Sequence, residues 1–579
     1  MTAADELPVR VWAPSSQRVG VEIDGARHEL TREDGGWWGG ATVRVGSRYG
    51  FLLDDDPAPR PDPRSRRLPD GVHGLTEATA PRLADVGSWG GRPLADGVIY
   101  ELHIGTYTPE GTLDSATERL DHLVDLGVAF VEVLPVNGFN GTHNWGYDGV
   151  AWYAVQETYG GPDAYARFVA ACHERGLGVI QDVVYNHLGP SGNYLPLFGP
   201  YLRQDAANTW GAEVNLDEPE VRRYILDNVR MWFEEYGVDG LRLDAVHALR
   251  DTSEEHILAA IGRETDELGL RLGRPLTLIA ESDLNDPVMF RPRVAGGHGL
   301  TAQWSDDYHH AAHVALTGET AGYYADFELL SALGAVATRG FFHAGTWSSF
   351  REREHGVPLT DDVEAWRLVT FVQDHDQVGN RAAGDRISAT LTPERLAIAA
   401  VLCVLSPSTP MLFMGEEWGA TTPWQFFTSH PEPELGRVTA EGRIAEFARH
   451  GWDPDSVPDP QDPETFRRSK LDWAERDREP HRTLLAQYRE LIALRTRELE
   501  LHSPTLGRLG AEVDEARRRV TFLRGSIRIR INLGDDEWRL DVSEQPLFAT
   551  SDGVSADPIV LPPDTALVSR SVGEQTASI

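Results

Sequence analysis

Gly-Leu-Arg-Leu-Asp-Ala-Val-His, residues 240–247, is the stretch around which the chain is arranged. Leu241 and Leu243 are apolar and Gly237 supplies a turn just upstream. The run therefore reads as a buried strand that ends by presenting Asp244 and His247. Arg242 lies two residues before Asp244, and side chains alternate along a strand, so both project from one face. A guanidinium favours the charged form of a neighbouring carboxylate and fixes its plane, which is what a carboxylate nucleophile needs. A structural ion pair fits these eight residues equally well; the other strand ends decide between the two.

Working outward, apolar runs recur at 98–104, 128–136, 177–184, 238–243, 276–280, 300–303, 368–373 and 410–414. These predict eight buried strands, mostly separated by helical periodicity. One helix is predicted over 114–126, with Asp114 or Ser115 as cap, Ala116, Leu120, Leu123 and Leu126 as its apolar stripe, and Gly127 as its stop. Others are predicted over 163–175, ending at Gly176, and over 218–236, ending at Gly237. Alternating units of this kind predict an α/β fold, a parallel (β/α)8 TIM barrel, over 91–502. Residues 186–217, after the third strand, read as a small excursion.

On both sides of the barrel, period-two alternation takes over. Val9 and Val11, Val19, Val21 and Ile23, then Val43 and Val45 alternate, and Asp24-Gly25 is a hairpin signal. An N-terminal β-sandwich is expected at 1–90, in which Trp37 and Trp38 suit either a sugar platform or a core. Val520, Phe522, Ile527, Ile529, Ile531 and 559–561 predict a C-terminal β-domain at 503–579, with residues 576–579 frayed.

Composition narrows the function. The 579 residues carry 54 basic and 90 acidic side chains, and 54 − 90 = −36. Such a chain repels nucleic acid and anionic membranes, so neither is expected as a partner. Cys172 and Cys403, in apolar segments, suggest buried thiols and no disulfide framework. No secretory pattern or bilayer-length apolar run is evident, and a cytoplasmic location is expected. Lys470 is the only lysine, which argues against both a lysine Schiff base and a Gly-rich phosphate loop ending in lysine.

The strand ends carry the chemistry. Asp182 ends the third strand in Asp-Val-Val-Tyr-Asn-His, with His187 close behind. Asp244 ends the fourth strand, Glu281 the fifth, and His375 and Asp376 the seventh. Acids and imidazoles at the C-terminal ends of several strands form the catalytic face of such a barrel. No His-x-x-x-His or Glu-x-x-His helix motif accompanies them, so neither metal nor cofactor is expected. Paired carboxylates suit glycoside cleavage, and Tyr147 and Trp304 are candidate sugar-stacking aromatics.

Taken together, residues 182–187, 240–247, Glu281 and 375–376 resemble, in order and placement, the four signature regions of the α-amylase family of glycoside hydrolases. The resemblance covers the whole plan of sandwich, barrel and C-terminal β-domain. It implies Asp244 as nucleophile, Glu281 as general acid/base and Asp376 as the third acid, with Asp182, His187, Arg242 and His375 around the reacting sugar. His247, Asp306, Asp307, Tyr308, His309, His310, Gln377 and Asn380 complete the implied substrate-binding set with Tyr147 and Trp304. Val-Arg-Val-Trp-Ala-Pro at 9–14, the run at 100–111 and Asn-Trp-Gly-Tyr-Asp-Gly at 144–149 are similar to branching and debranching relatives. Narrower stretches, Gly-Asn-Tyr-Leu-Pro-Leu-Phe-Gly-Pro-Tyr at 192–201 and Ala-Gln-Trp-Ser-Asp-Asp-Tyr-His-His at 302–310, resemble the trehalose-releasing members. Those stretches imply a retaining hydrolase acting on maltooligosyltrehalose at the α-1,4 bond before its terminal trehalose; a monomer is expected. A branching or debranching enzyme would share the barrel and triad and differ in products. A non-catalytic glucan-binding protein would have no chemical need for all three acids.

Overall fold

The computed structural model describes residues 6–208, 211–449, 457–502, 504–556 and 558–571. The terminus read as frayed, 576–579, lies outside the described residues. All eight expected strands form: β1 Ile99–Leu102, β2 Phe130–Val133, β3 Gly178–Val183, β4 Gly240–Leu243, β5 Thr277–Ala280, β6 Ala302–Trp304, β7 Leu368–Thr370 and β8 Thr409–Phe413. They close into a barrel in the order β3-β4-β5-β6-β7-β8-β1-β2, with parallel pairing throughout.

Period two explains how the barrel makes both a core and a site. Ile99, Phe130, Ile180, Ile279, Trp304, Phe371 and Met411 fill its floor. Each such buried side chain contributes roughly 1.5–3 kcal/mol. Two residues further along the same strands, Glu101, Asp182 and Glu281 project the same way, one layer nearer the C-terminal mouth. Arg242 joins that layer from β4, two residues after Gly240. A Cβ on Gly240 would lie 3.1 Å from the Thr277 Cβ and 3.2 Å from the Ile180 Cγ1. Its missing side chain lets β3 and β5 close around β4.

One predicted helix divides. Instead of one helix over 114–126 there are two, α1 Leu113–Thr117 and α2 Leu120–Leu126. Thr112 is the cap, since its hydroxyl accepts the Ser115 N–H at 3.2 Å while the Ser115 hydroxyl accepts the Thr112 N–H at 3.2 Å. This reciprocal box outcompetes Asp114 and Ser115 as caps. The expected apolar stripe is buried, and Gly127 stops α2 at φ 91°. Helix α3 spans Gly161–Glu174. Helix α4, Pro219–Met231, continues as a π turn to Gly237. Ile257–Leu272 (α5), Asp306–Thr317 (α6), Leu330–Arg339 (α7), Pro393–Val404 (α8) and His481–Arg497 (α9) follow. Helix α7 and an antiparallel pair, Thr346–Ser348 with Arg353–His355, stand between β6 and β7. Neither has a counterpart in the sequence reading.

The excursion after β3 holds a helical turn, Leu195–Phe198, and the pair Leu202–Asn208 with Gly211–Val214. N-terminal to the barrel lie a three-stranded and a four-stranded sheet, with the Asp24-Gly25 turn at φ 47° and 83°. Trp38 belongs to their core, and its indole N–H donates to the Ala13 carbonyl. C-terminal to the barrel lie a five-stranded and a three-stranded sheet. Cys172 and Cys403 are buried free thiols. Among the described residues no helix is long and apolar enough to cross a membrane.

Candidate active site

Arg242, wholly buried, is the hub of the mouth. Its Nη1 donates to Asp244 Oδ1 at 2.8 Å and to both Asp182 oxygens at 2.9 and 3.1 Å. Its Nη2 lies 3.1 Å from Glu281 Oε2, an ion-pair contact rather than an aligned hydrogen bond. Trp304 supports the guanidinium from below, with the ring centroid 4.3 Å from Cζ. Three carboxylates on three adjacent strands thus share one cation, and its planar fork fixes where each stands. Asn186 secures the other Asp244 oxygen, donating to Oδ2 at 2.6 Å.

Glu281 is held by strained backbone. Ala245, a non-glycine residue, adopts φ 39° and ψ 52° directly after Asp244. Such backbone costs on the order of 1–3 kcal/mol. The turn aims the Ala245 N–H at Glu281 Oε2, 2.6 Å away. Burial pushes the Glu281 carboxyl well above the usual range; Arg242 opposes this, while Asp244 and Asp376 reinforce it. Burial likewise pushes Asp182 up to about 7 against the pull of Arg242. Side-chain exposure rises from Asp244, 11%, to Glu281, 20%, to Asp376, 37%, placing the third acid nearest solvent.

The far wall is built on His375. Its Nδ1 lies 2.5 Å from Glu101 Oε1, and its Nε2 lies 2.8 Å from the Tyr147 hydroxyl. The two rings stack at 5.3 Å, and the Tyr147 O–H donates to Asp182 Oδ2 at 2.7 Å. Tyr147 therefore does stand in the mouth. His187 bonds the Tyr147 carbonyl at 3.0 Å, behind the ring. Asn380 donates to Asp376 Oδ1 at 3.4 Å, and Gln377 accepts from Tyr323 at 3.5 Å. His247 is 3.8 Å from Asp283.

Other expected contacts are corrected. Trp304 is 2% exposed and stacks on Arg242, so it floors the site instead of meeting a sugar. The expected substrate-binding residues 306–310 lie on a helix, so their side chains diverge. Tyr308 points away from the mouth and donates to the Leu402 carbonyl at 2.6 Å. His309 is tied to the Val372 carbonyl and the Tyr324 hydroxyl. Asp307 Oδ2 accepts from Asn285 and from the Phe342 and His343 N–H groups, a structural tie to the following loop. His310 packs among Tyr323, Tyr324 and Phe327, and burial drops it to about 3. Asp306 shares the electrostatic field of the acids: burial, then Asp283, Asp307 and Asp376, push it up to about 7.

Three contributors escaped the sequence reading. Asn186 lies inside a quoted motif but was passed over for its charged neighbours. Glu101 had a visible signal, a charge in the middle of an apolar strand. Arg351, which reaches Asp283 at 3.0 Å from the hairpin before β7, had none. Among the described residues no group of three or more His, Cys, Asp or Glu is placed to hold a metal ion.

The alpha amylase catalytic domain family matches residues 76–196. The malto-oligosyltrehalose trehalohydrolase of Arthrobacter ramosus is 61% identical over 90% of this chain and 92% of its own length. That of Rhizobium sp. strain M-11 is 56% identical over 97% of each. A crystal structure of a candidate alpha amylase from Salmonella typhimurium superposes with a TM-score of 0.90, at 36% identity, over 99% of both chains.

Proposed function

The chain belongs to the malto-oligosyltrehalose trehalohydrolase family, and on that premise we propose that it is a retaining glycoside hydrolase that releases trehalose from maltooligosyltrehalose. It cuts the α-1,4 bond joining the maltooligosyl chain to the terminal trehalose. Trehalose release is supported by the 61% and 56% identity to malto-oligosyltrehalose trehalohydrolases, and retention by the shared Arg242 guanidinium, whose two terminal nitrogens reach Asp244 and Glu281. A bridge through one guanidinium favours the shorter separation of a retaining pair, about 5–5.5 Å. Inverting pairs stand roughly 6.5–9.5 Å apart, with a water between them.

Asp244 attacks the anomeric carbon, and the glycosidic oxygen leaves with the Glu281 proton as the trehalose hydroxyl. The raised position of Glu281 suits it to hold that proton at neutral pH. Water, giving a proton back to Glu281, then cleaves the glycosyl–Asp244 ester and frees the maltooligosaccharide. Asp376, the most exposed of the three, holds sugar hydroxyls. Residues 91–502 are the catalytic unit, flanked by β-domains at 1–90 and 503–579. Incubation with maltotriosyltrehalose, followed by chromatography, should give trehalose and maltotriose in equal amounts. New α-1,6 branches, or no trehalose, would refute the assignment.

A further inference from the structure

Glu101 has no part in the reaction as described, yet it sits inside the barrel with its side chain 1% exposed. A buried carboxylate is costly unless its oxygens are satisfied. Both are satisfied by one residue: Oε1 by the His375 ring Nδ1 at 2.5 Å, Oε2 by the His375 backbone N–H at 2.9 Å. The Tyr147 hydroxyl has a single proton and gives it to Asp182. At 2.8 Å from His375 Nε2, it must accept there. Both ring nitrogens then carry hydrogen, which makes His375 an imidazolium.

We propose that Glu101 is a positioning residue: it holds His375 as an imidazolium with Nε2–H fixed on Tyr147, leaving the Tyr147 proton for Asp182 and keeping Asp182, Arg242 and Asp244 in register. The proposal rests on the retaining reaction assigned above. The surroundings of His375 support it. Burial opposes the charge, but Glu101, and then Asp376 with Oδ1 at 3.6 Å, outweigh it and lift the ring to about 10. Asp182, Glu132 and Asp374 also face it with acidic groups, and Arg242 and His103 with basic ones. Trp145 and Trp304 close it in edge-on.

The barrel carries its own control. Glu132 on β2 pairs in register with Glu101 and is equally buried. Neither of its oxygens has a hydrogen-bond partner, and burial pushes its carboxyl well above the usual range. It is the same chemistry in the same layer, without a hydrogen bond to the histidine.

Glu101→Gln should therefore lose roughly ten- to hundredfold in kcat with KM nearly unchanged. Its kcat should also gain a second alkaline limb as pH rises through the ordinary histidine value, about 6.5, beside the one that Glu281 gives the wild type. Glu101→Asp should restore part of kcat and remove that second limb, and Glu132→Gln should keep the wild-type profile. A wild-type profile in Glu101→Gln, or the same new limb in Glu132→Gln, overturns the proposal. Should Glu101→Gln not fold, nitrogen NMR of ¹⁵N-histidine-labelled wild-type protein decides, with His375 assigned through His375→Asn. Both ring nitrogens should stay protonated until about pH 10; a ring that titrates near the ordinary value overturns it. That measurement needs no substrate, so it stands or falls separately from trehalose release.

Discussion

Arg242 Nη1 donates to Asp244 Oδ1 across 2.8 Å, between two side chains on one face of β4. Only a forked cation can hold Asp244 and Asp182 with one nitrogen and face Glu281 with another. Arg242→Lys keeps the charge and loses the fork. A hydrogen bond to a charged group is worth roughly 1.5–3 kcal/mol, so kcat for trehalose release should fall about ten- to hundredfold. Activity within threefold of the wild type would show that charge alone suffices.

Two inversions at the anomeric carbon give net retention. Proton NMR early in the reaction should show the new reducing end first as the α-anomer. Asp244→Asn should abolish turnover with folding intact. Glu281→Gln should still form the ester from an activated glycosyl fluoride, whose leaving group needs little protonation. If the β-anomer appears first, Asp244 is not the nucleophile.

The barrel and its acids were legible because they rest on local rules. Apolar runs set the strands, and alternation by two puts Asp182, Arg242 and Asp244 on the inner face. Where the reading missed, the deciding contacts came from distant parts of the chain. Asp307 looked like a sugar ligand until Phe342 and His343, 35 and 36 residues on, claimed its oxygen. Trp304 looked like a sugar platform until Arg242, on another strand, covered its ring. Strand Ala302–Trp304 passes straight into a helix that starts after Ser305, and that helix turns Tyr308 and His309 toward the Leu402 and Val372 carbonyls. No pattern in 302–310 alone separates a helix start from a polar loop.

The acids of the excursion after β3 bear on metal dependence. Glu213 faces Arg250 at 3.3 Å and Asp217 faces Arg203 at 3.0 Å, so arginines already neutralise them. The Asp205 side chain lies outside the described residues. Activity should persist in EDTA. A large loss restored by added calcium would mean that these carboxylates bind the ion in solution.

Asp306 and Asp307 should part company when each becomes alanine. Asp306 lies within electrostatic reach of Asp283 and Asp376. Asp306→Ala should lose more rate on maltooligosyltrehalose than on a plain maltooligosaccharide, by a factor matching roughly 1–3 kcal/mol. Asp307→Ala removes the acceptor of three N–H donors. It should lower the melting temperature and affect both substrates alike. Equal discrimination by the two variants would mean that Asp306, too, only supports the barrel.

Glu281 links catalysis and stability to pH with a definite sign. Burial raises its folded pKa above the ordinary value of 4.5; Arg242 opposes the shift, and Asp244 and Asp376 add to it. A carboxyl shifted upward contributes stability that is complete below the ordinary value and is lost as pH rises through the folded one. Activity, which needs the proton on Glu281, should decline over the same alkaline range. Asp376→Asn removes one of the charges that raise Glu281, so the alkaline limb of its residual activity should move to lower pH. Glu281→Gln cannot ionise and escapes the penalty. Its melting temperature should therefore gain on the wild type as pH rises above the ordinary value of 4.5. A constant gap across that range would mean that Glu281 does not hold its proton in the fold, and the acid would have to be sought elsewhere in the mouth.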